Sequence, residues 1–185
     1  MDALLGYCRF VDRVNQWVGK TVSWLILAAV AVSAGNAVVR YALDTSSNAW
    51  LELQWYLYSA VFLLCAGYTL QRNEHIRIDI INSRLPLRVR TWIDILGGLF
   101  FLLPMALLIM ALSLPMVADS FERHEVSSNA GGLLRWPVKV LIPIAFGLLA
   151  LQGLSEVVKR VAFLMGRGPD PARRGGAHEA AERPG

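Results

Sequence analysis

Between Thr21 and Val39 the chain carries no charged side chain, and the same holds from Leu53 to Leu70 and from Ile95 to Ala118. An α-helix needs about 20 apolar residues to cross the hydrocarbon of a bilayer, with roughly 17 to 25 tolerated. A fourth run, Val140 to Ser155, is shorter. Its flanks, Lys139 and Glu156, can lay their stems along apolar surface while their charges reach water, and Trp136 can mark the headgroup level, which extends it to a full span. The expectation is an all-α integral membrane protein with four transmembrane helices, at about 17–39, 50–70, 92–118 and 136–156. These make a membrane domain over residues 1–165.

Composition points the same way. Hydrophobic residues make up 55% of 185, with a mean hydropathy of +0.45, more than a soluble core of this size can hide. The formal charge of +4 does not indicate a nucleic-acid partner, because the basic residues sit between apolar runs and not on one polar surface. Cys8 and Cys65 are too sparse for a disulfide framework or a metal-ligand spacing and are expected to pack. The first apolar run is longer than the 7 to 15 residues or so of a signal peptide's h-region, so it is read as an uncleaved span.

Orientation follows from the arginines and lysines. Arg9, Arg13 and Lys20 precede span one; Arg72, Arg77, Arg84, Arg88 and Arg90 lie between spans two and three; Lys159, Arg160, Arg167, Arg173, Arg174 and Arg183 follow span four. The opposite side holds only Arg40, Arg123, Arg135 and Lys139. The positive-inside rule therefore predicts cytoplasmic termini. The tail 166–185, GRGPDPARRGGAHEAAERPG, lacks apolar residues to pack and is predicted to be a disordered cytoplasmic segment.

The most charged stretch, QRNEHIRIDIINSRLPLRVR from Gln71 to Arg90, becomes the cytoplasmic connector. Its isoleucines fit neither a strand nor a helix alone, and a lone strand cannot satisfy its backbone at a membrane surface. A short interfacial helix or turn is expected, with Ser83 capping the third helix and Pro86 in its first turn. Pro104, Pro115 and Pro143 are expected to bend their spans without ending them.

Chemistry is scarce. No span holds a charge at its centre, where one persists only for a task such as ion coupling. His75, His124 and His178 lie outside the spans, which argues against haem ligation, and their acidic neighbours do not form a metal-site spacing. Phosphate loops, nucleophile elbows and paired catalytic carboxylates are missing, so neither an enzyme nor a cofactor is expected. Packing surface remains. Ala29, Ser33 and Ala37 recur at spacings of four, with Asn36 and Arg40 on roughly the same face. Small residues let helices approach closely, and an asparagine adds an interhelical hydrogen bond. Arg40 and Glu52 stand at the outer ends of spans one and two, either reaching water separately or pairing; Asp44 competes for Arg40.

The motifs NAVVRY at Asn36–Tyr41, Glu52 opening span two, HIRID at His75–Asp79, RLP at Arg84–Pro86 and SSNAGGLLRWPVKVLIP at Ser127–Pro143 appear in this order. Together with the topology, from about Asn15 to Arg160, they resemble the small membrane subunit of tripartite ATP-independent periplasmic (TRAP) transporters, the DctQ-like family. The resemblance implies a multi-pass protein of the bacterial inner membrane. In such systems a periplasmic substrate-binding protein captures a solute, usually an organic acid, and a large membrane subunit moves it with sodium. The small subunit is similar to a scaffold or stator for that large subunit and is not the site of sodium or substrate. Asn36, Arg40, Glu52, His75, Arg77, Asp79 and Trp136 are then structural or interface candidates, with the arginines of 71–90 near anionic headgroups of the lipid bilayer. His75 and Asp79 would stand one turn apart if that stretch is helical. Part of Asp119–Arg135 is expected to approach the binding protein. Two other readings compete. A small four-helix exporter would want a carboxylate within span one, which holds ILAAVAVSAG instead. A membrane adaptor or assembly factor unrelated to transport is the alternative.

Overall fold

Apolar and small residues at Cys8, Val11, Asn15, Val22 and Ala29 recur every three, four or seven positions, and all five are buried. That stripe makes the first helix much longer than the run that crosses lipid. In the computed structural model, which describes residues 2–45, 47–72 and 85–166, α1 runs unbroken over Asp2–Leu43, 42 residues, or about 63 Å. Its first turns extend well below the expected start of span one. They carry Arg9, Asp12 and Arg13 on the flanks of the stripe, which is why they do not read as part of a span.

Helix α2 spans Asn48–Arg72. The third rod is composite: α3, Leu87–Gly97, passes through a π-helical turn at Gly98–Leu102 into α4, Leu103–Glu122. Helix α5 covers Trp136–Leu164. Four helices are thus long and apolar enough to cross a membrane, Leu4–Leu43, Asn48–Arg72, Leu87–Glu122 and Trp136–Leu164. Among the described residues the one β pairing is an isolated bridge between Val126 and Leu134.

Helix α5 is the hub. It packs on α1, α2, α3 and α4, and a third of its most apolar window is buried (33%), against 11% in each of the other three. The apolar core is small, with Ala106, Leu149 and Ala150 at its centre and Ala66, Leu70, Leu103 and Phe146 around them. Glycines set the closest approaches. A Cβ at Gly19 would lie 2.6 Å from Cγ of Tyr68, and one at Gly153 would collide with the Leu102 side chain in the π turn. The wide turn precedes Pro104, whose ring cannot fit a regular α turn, so the rod continues past the proline. Pro115 and Pro143 lie inside α4 and α5.

The start of α3 differs from expectation. Pro86 is the N-cap residue, with extended φ −60° and ψ 144°, and its carbonyl accepts from the N–H groups of Val89 and Arg90 at 2.9 and 3.2 Å. The proline ring carries no acceptor, so there is no side-chain cap and the backbone carbonyl alone serves these donors. Ser83 lies outside the described residues, as do His75, Arg77, Asp79 and the tail 167–185.

Candidate functional site

Polar side chains gather at both ends of the bundle. At the end where α1 meets α2, the first turns of α2 present Asn48, Glu52 and Tyr56 on one face, four residues apart. All three grip the connection between α4 and α5. Asn48 Nδ2 donates to the carbonyl of Ala130 at 3.0 Å, and Tyr56 OH donates to that of Leu134 at 3.1 Å. Glu52 sits between them: its carboxylate accepts from Ser127 Oγ, from Asn129 Nδ2 at 2.8 Å and from the backbone N–H of Leu133 at 2.7 Å.

The connection is folded to meet this grip. The Ser127 N–H donates to Leu133 O at 3.0 Å and the Arg135 N–H to Glu125 O at 2.9 Å, which closes a small hairpin. Gly131 turns it with φ +70°, and a Cβ on Gly132 would lie 3.0 Å from Oε1 of Glu52. Its base is stapled by the ion pair of Lys139 with Glu125 and by Trp136, edge-on to Phe121 at 5.4 Å. The Lys139 ammonium holds the Glu125 carboxyl below its ordinary value. A pocket of 630 Å³ opens beside this plate, walled by Leu51, Trp55, Arg135 and Val138. Its walls are mostly apolar, with Asn48, Asn129, Arg135 and Lys139 among them, so it suits a surface that presents apolar and polar groups together.

Arg40 is not the partner of Glu52. It is exposed, and among the described residues it forms no ion pair with Glu52 or Asp44. The loop supplies three donors to Glu52 from a distance of 75 to 81 positions, which satisfies the carboxylate more completely than one exposed guanidinium would. Asn36 is half-buried and lines a 540 Å³ groove with Ala31, Val32, Gly35, Val39 and Trp50. Its amide makes no hydrogen bond among the described residues.

The opposite end holds a network that the sequence reading missed. Asn15 Nδ2 donates to Gln152 Oε1 at 3.0 Å, and Gln152 Nε2 donates to Asp12 at 2.9 Å and Glu156 at 3.2 Å. Lys159 bridges Asp12 and Glu156 at 2.6 and 2.8 Å, and Arg160 bridges Glu156 and Asp94 at 2.9 and 3.2 Å. Spans one, three and four are thereby tied together, with Asn15 and Gln152 fully buried at the centre. The available signal was the spacing of Gln152, Glu156 and Arg160, one turn apart on α5.

Of the sequence candidates, Glu52 and Trp136 meet in one assembly, whereas Asn36 and Arg40 stand apart on the bare end of α1. A family model, tripartite ATP-independent periplasmic transporters, DctQ component, matches residues 29–163. No curated protein and no solved structure gives a significant match. The matched region contains the Glu52 plate whole, but of the buried network it excludes Asp12 and Asn15.

Proposed function

The chain belongs to the DctQ component family of TRAP transporters, a multi-pass small permease subunit, and we propose that within the transporter it is the stationary scaffold for the large, sodium-coupled subunit. The observation that carries this is the uneven burial of its helices. Spans one to three bury only 11% of their apolar windows within the chain, so most of their lateral surface is left for lipid or for other spans. Meanwhile both ends are locked by buried or multiply bonded polar groups. A frame that is tied at its rims and open on its flanks suits a stator. Membrane helices associate through packing and a few polar contacts, and such flanks offer both.

In this reading the termini are cytoplasmic, the membrane is the bacterial inner membrane, and the plate held by Glu52 faces the periplasm. There it meets the substrate-binding protein that delivers an organic acid or a related small solute. The family is a transporter component and not an enzyme family, and the polar groups described above fit anchoring roles.

Co-expression with the large subunit, followed by purification in mild detergent, tests the reading. A stoichiometric pair is expected. Purification of this chain alone, stable and monodisperse in the presence of the large subunit, would sink it and favour an adaptor outside transport.

A further inference from the structure

We propose that the crevice between the first turns of α1 and the last turn of α2 binds the headgroup of one membrane phospholipid, a phosphodiester carrying a hydrogen-bond donor. The crevice measures 490 Å³ and is lined by Arg9, Asp12, Arg13 and Gln16 of α1 with Gln71 and Arg72 of α2. Three guanidiniums therefore surround one space. The single carboxylate among them, Asp12, is already engaged from the far side by Lys159 at 2.6 Å and Gln152 at 2.9 Å. The lining residues thus carry three positive charges against one carboxylate that is already paired, a balance that favours an anion.

The guanidiniums differ in their freedom, which suits capture. Arg72 is held in place by its Nε bond to Tyr68 OH at 2.9 Å and lies 5.3 Å from the centre of the Tyr68 ring, which itself is wedged on Gly19. Arg9 spends only its Nε, on Leu5 O at 3.4 Å, and Arg13 makes no bond among the described residues. Paired guanidinium N–H groups match phosphate oxygens in geometry as well as charge. Gln71 adds a second signal: its Oε1 is buried and has no donor among the described residues. A hydroxyl or primary ammonium on the headgroup would supply one; a quaternary choline has none to give.

Depth and flanks favour a lipid over free phosphate. Arg13 lies one turn, about 6 Å, from Trp17, and Arg72 ends α2, so the crevice stands at headgroup level. Phe10 and Trp17 bracket Arg13 on the outer face of α1 and are 65% and 68% exposed. Acyl chains running inward from the crevice would cover Trp17, whereas a hydrated ion would leave it bare.

Native mass spectrometry of the full chain, released from nanodiscs of phosphatidylglycerol mixed with phosphatidylcholine, tests the site. Wild type is expected to retain one phosphatidylglycerol. Arg9→Gln with Arg13→Gln should weaken retention about 30-fold, roughly 5-fold per guanidinium, while Lys20→Gln, a charge loss outside the crevice, should change it less than about 2-fold. Should the double variant fail to fold, Arg13→Gln alone, which loses no internal bond, decides the matter. Equal retention by the crevice variant, an equal loss with Lys20→Gln, or displacement of the lipid by excess inorganic phosphate would each overturn the proposal.

Discussion

The carboxamide of Asn15 occupies the space that any side chain at position 67 would need: a Cβ on Gly67 would collide with its Oδ1. This contact and that of Gly19 with Tyr68 together set the crossing of α1 and α2. Gly67→Ala is expected to push the helices apart and cost about 1–3 kcal/mol. Gly97→Ala is the contrast, since nothing lies within 4 Å of the new methyl there. It should be neutral or stabilise by about 0.5–1 kcal/mol through helix propensity. Unfolding of both variants in mixed micelles would show the difference, and equal effects would contradict the crossing.

Arg160 is 7% exposed and serves Glu156 and Asp94 together. Arg160→Met takes one charged donor from Glu156, which keeps Lys159 and Gln152, and one from Asp94, and is expected to cost about 1.5–3 kcal/mol. In a Glu156→Gln background the loss from Arg160→Met should be smaller, because one of the guanidinium's two carboxylates is already neutral. A cycle in which the two changes are simply additive would show that the pair does not interact.

Glu52→Gln keeps the shape of the side chain but removes its charge and replaces one acceptor oxygen with a donor. The Leu133 N–H and Ser127 Oγ then lose a charged acceptor, and the hairpin 126–134 is expected to open. Amide exchange at Leu133 should rise about tenfold or more while the centres of the spans stay protected. Unchanged exchange at Leu133 would mean that Asn48 and Tyr56 suffice. If the plate meets the binding protein, docking should weaken in the same variant.

Acid should loosen the base of that plate. The Lys139 hydrogen bond lowers the Glu125 carboxyl from 4.5, so its contribution is complete above that value and is lost as pH falls through the lower, folded one. The difference in melting temperature between wild type and Glu125→Gln is expected to be constant from pH 7 to about pH 5 and to shrink below it. A difference that persists undiminished into strong acid would exclude this ion pair as its source.

Asn36 offers a test of the flanks. In the isolated chain, Asn36→Leu should leave the fold intact, because the amide has no bond among the described residues to lose. Within the proposed complex it should lower the yield of co-purified large subunit, since an amide left facing lipid is costly unless a neighbour satisfies it. Full recovery of the pair would remove Asn36 from the interface.

The four spans were legible because an uncharged run of membrane length is more apolar surface than a chain of this size can bury within itself. The first turns of α1 were not, since Arg9, Asp12 and Arg13 interrupt the run and hide a buried stripe whose period shows only when Cys8, Val11 and Asn15 are counted as one face. Arg40 was the nearest opposite charge to Glu52 along the chain. The donors that satisfy Glu52 arrive from a hairpin that only tertiary folding brings near, and uncharged Ser127 and Asn129 give no pairing signal in sequence. Trp136 reads in sequence only as an aromatic residue at the end of a span, because its contact with Phe121 depends on α4 and α5 meeting there.

Helix α1 has a mechanical consequence. It is held along its buried stripe from Cys8 to Ala29, while every described residue from Ala37 to Thr45 is exposed. A rod clamped at one end and bare at the other is a cantilever. From Ala29 to Leu43 is about 21 Å, so a tilt of roughly 10° where the stripe ends carries the tip about 4 Å. Small adjustments at Ala29, where the buried stripe ends, are thus magnified at the tip of α1.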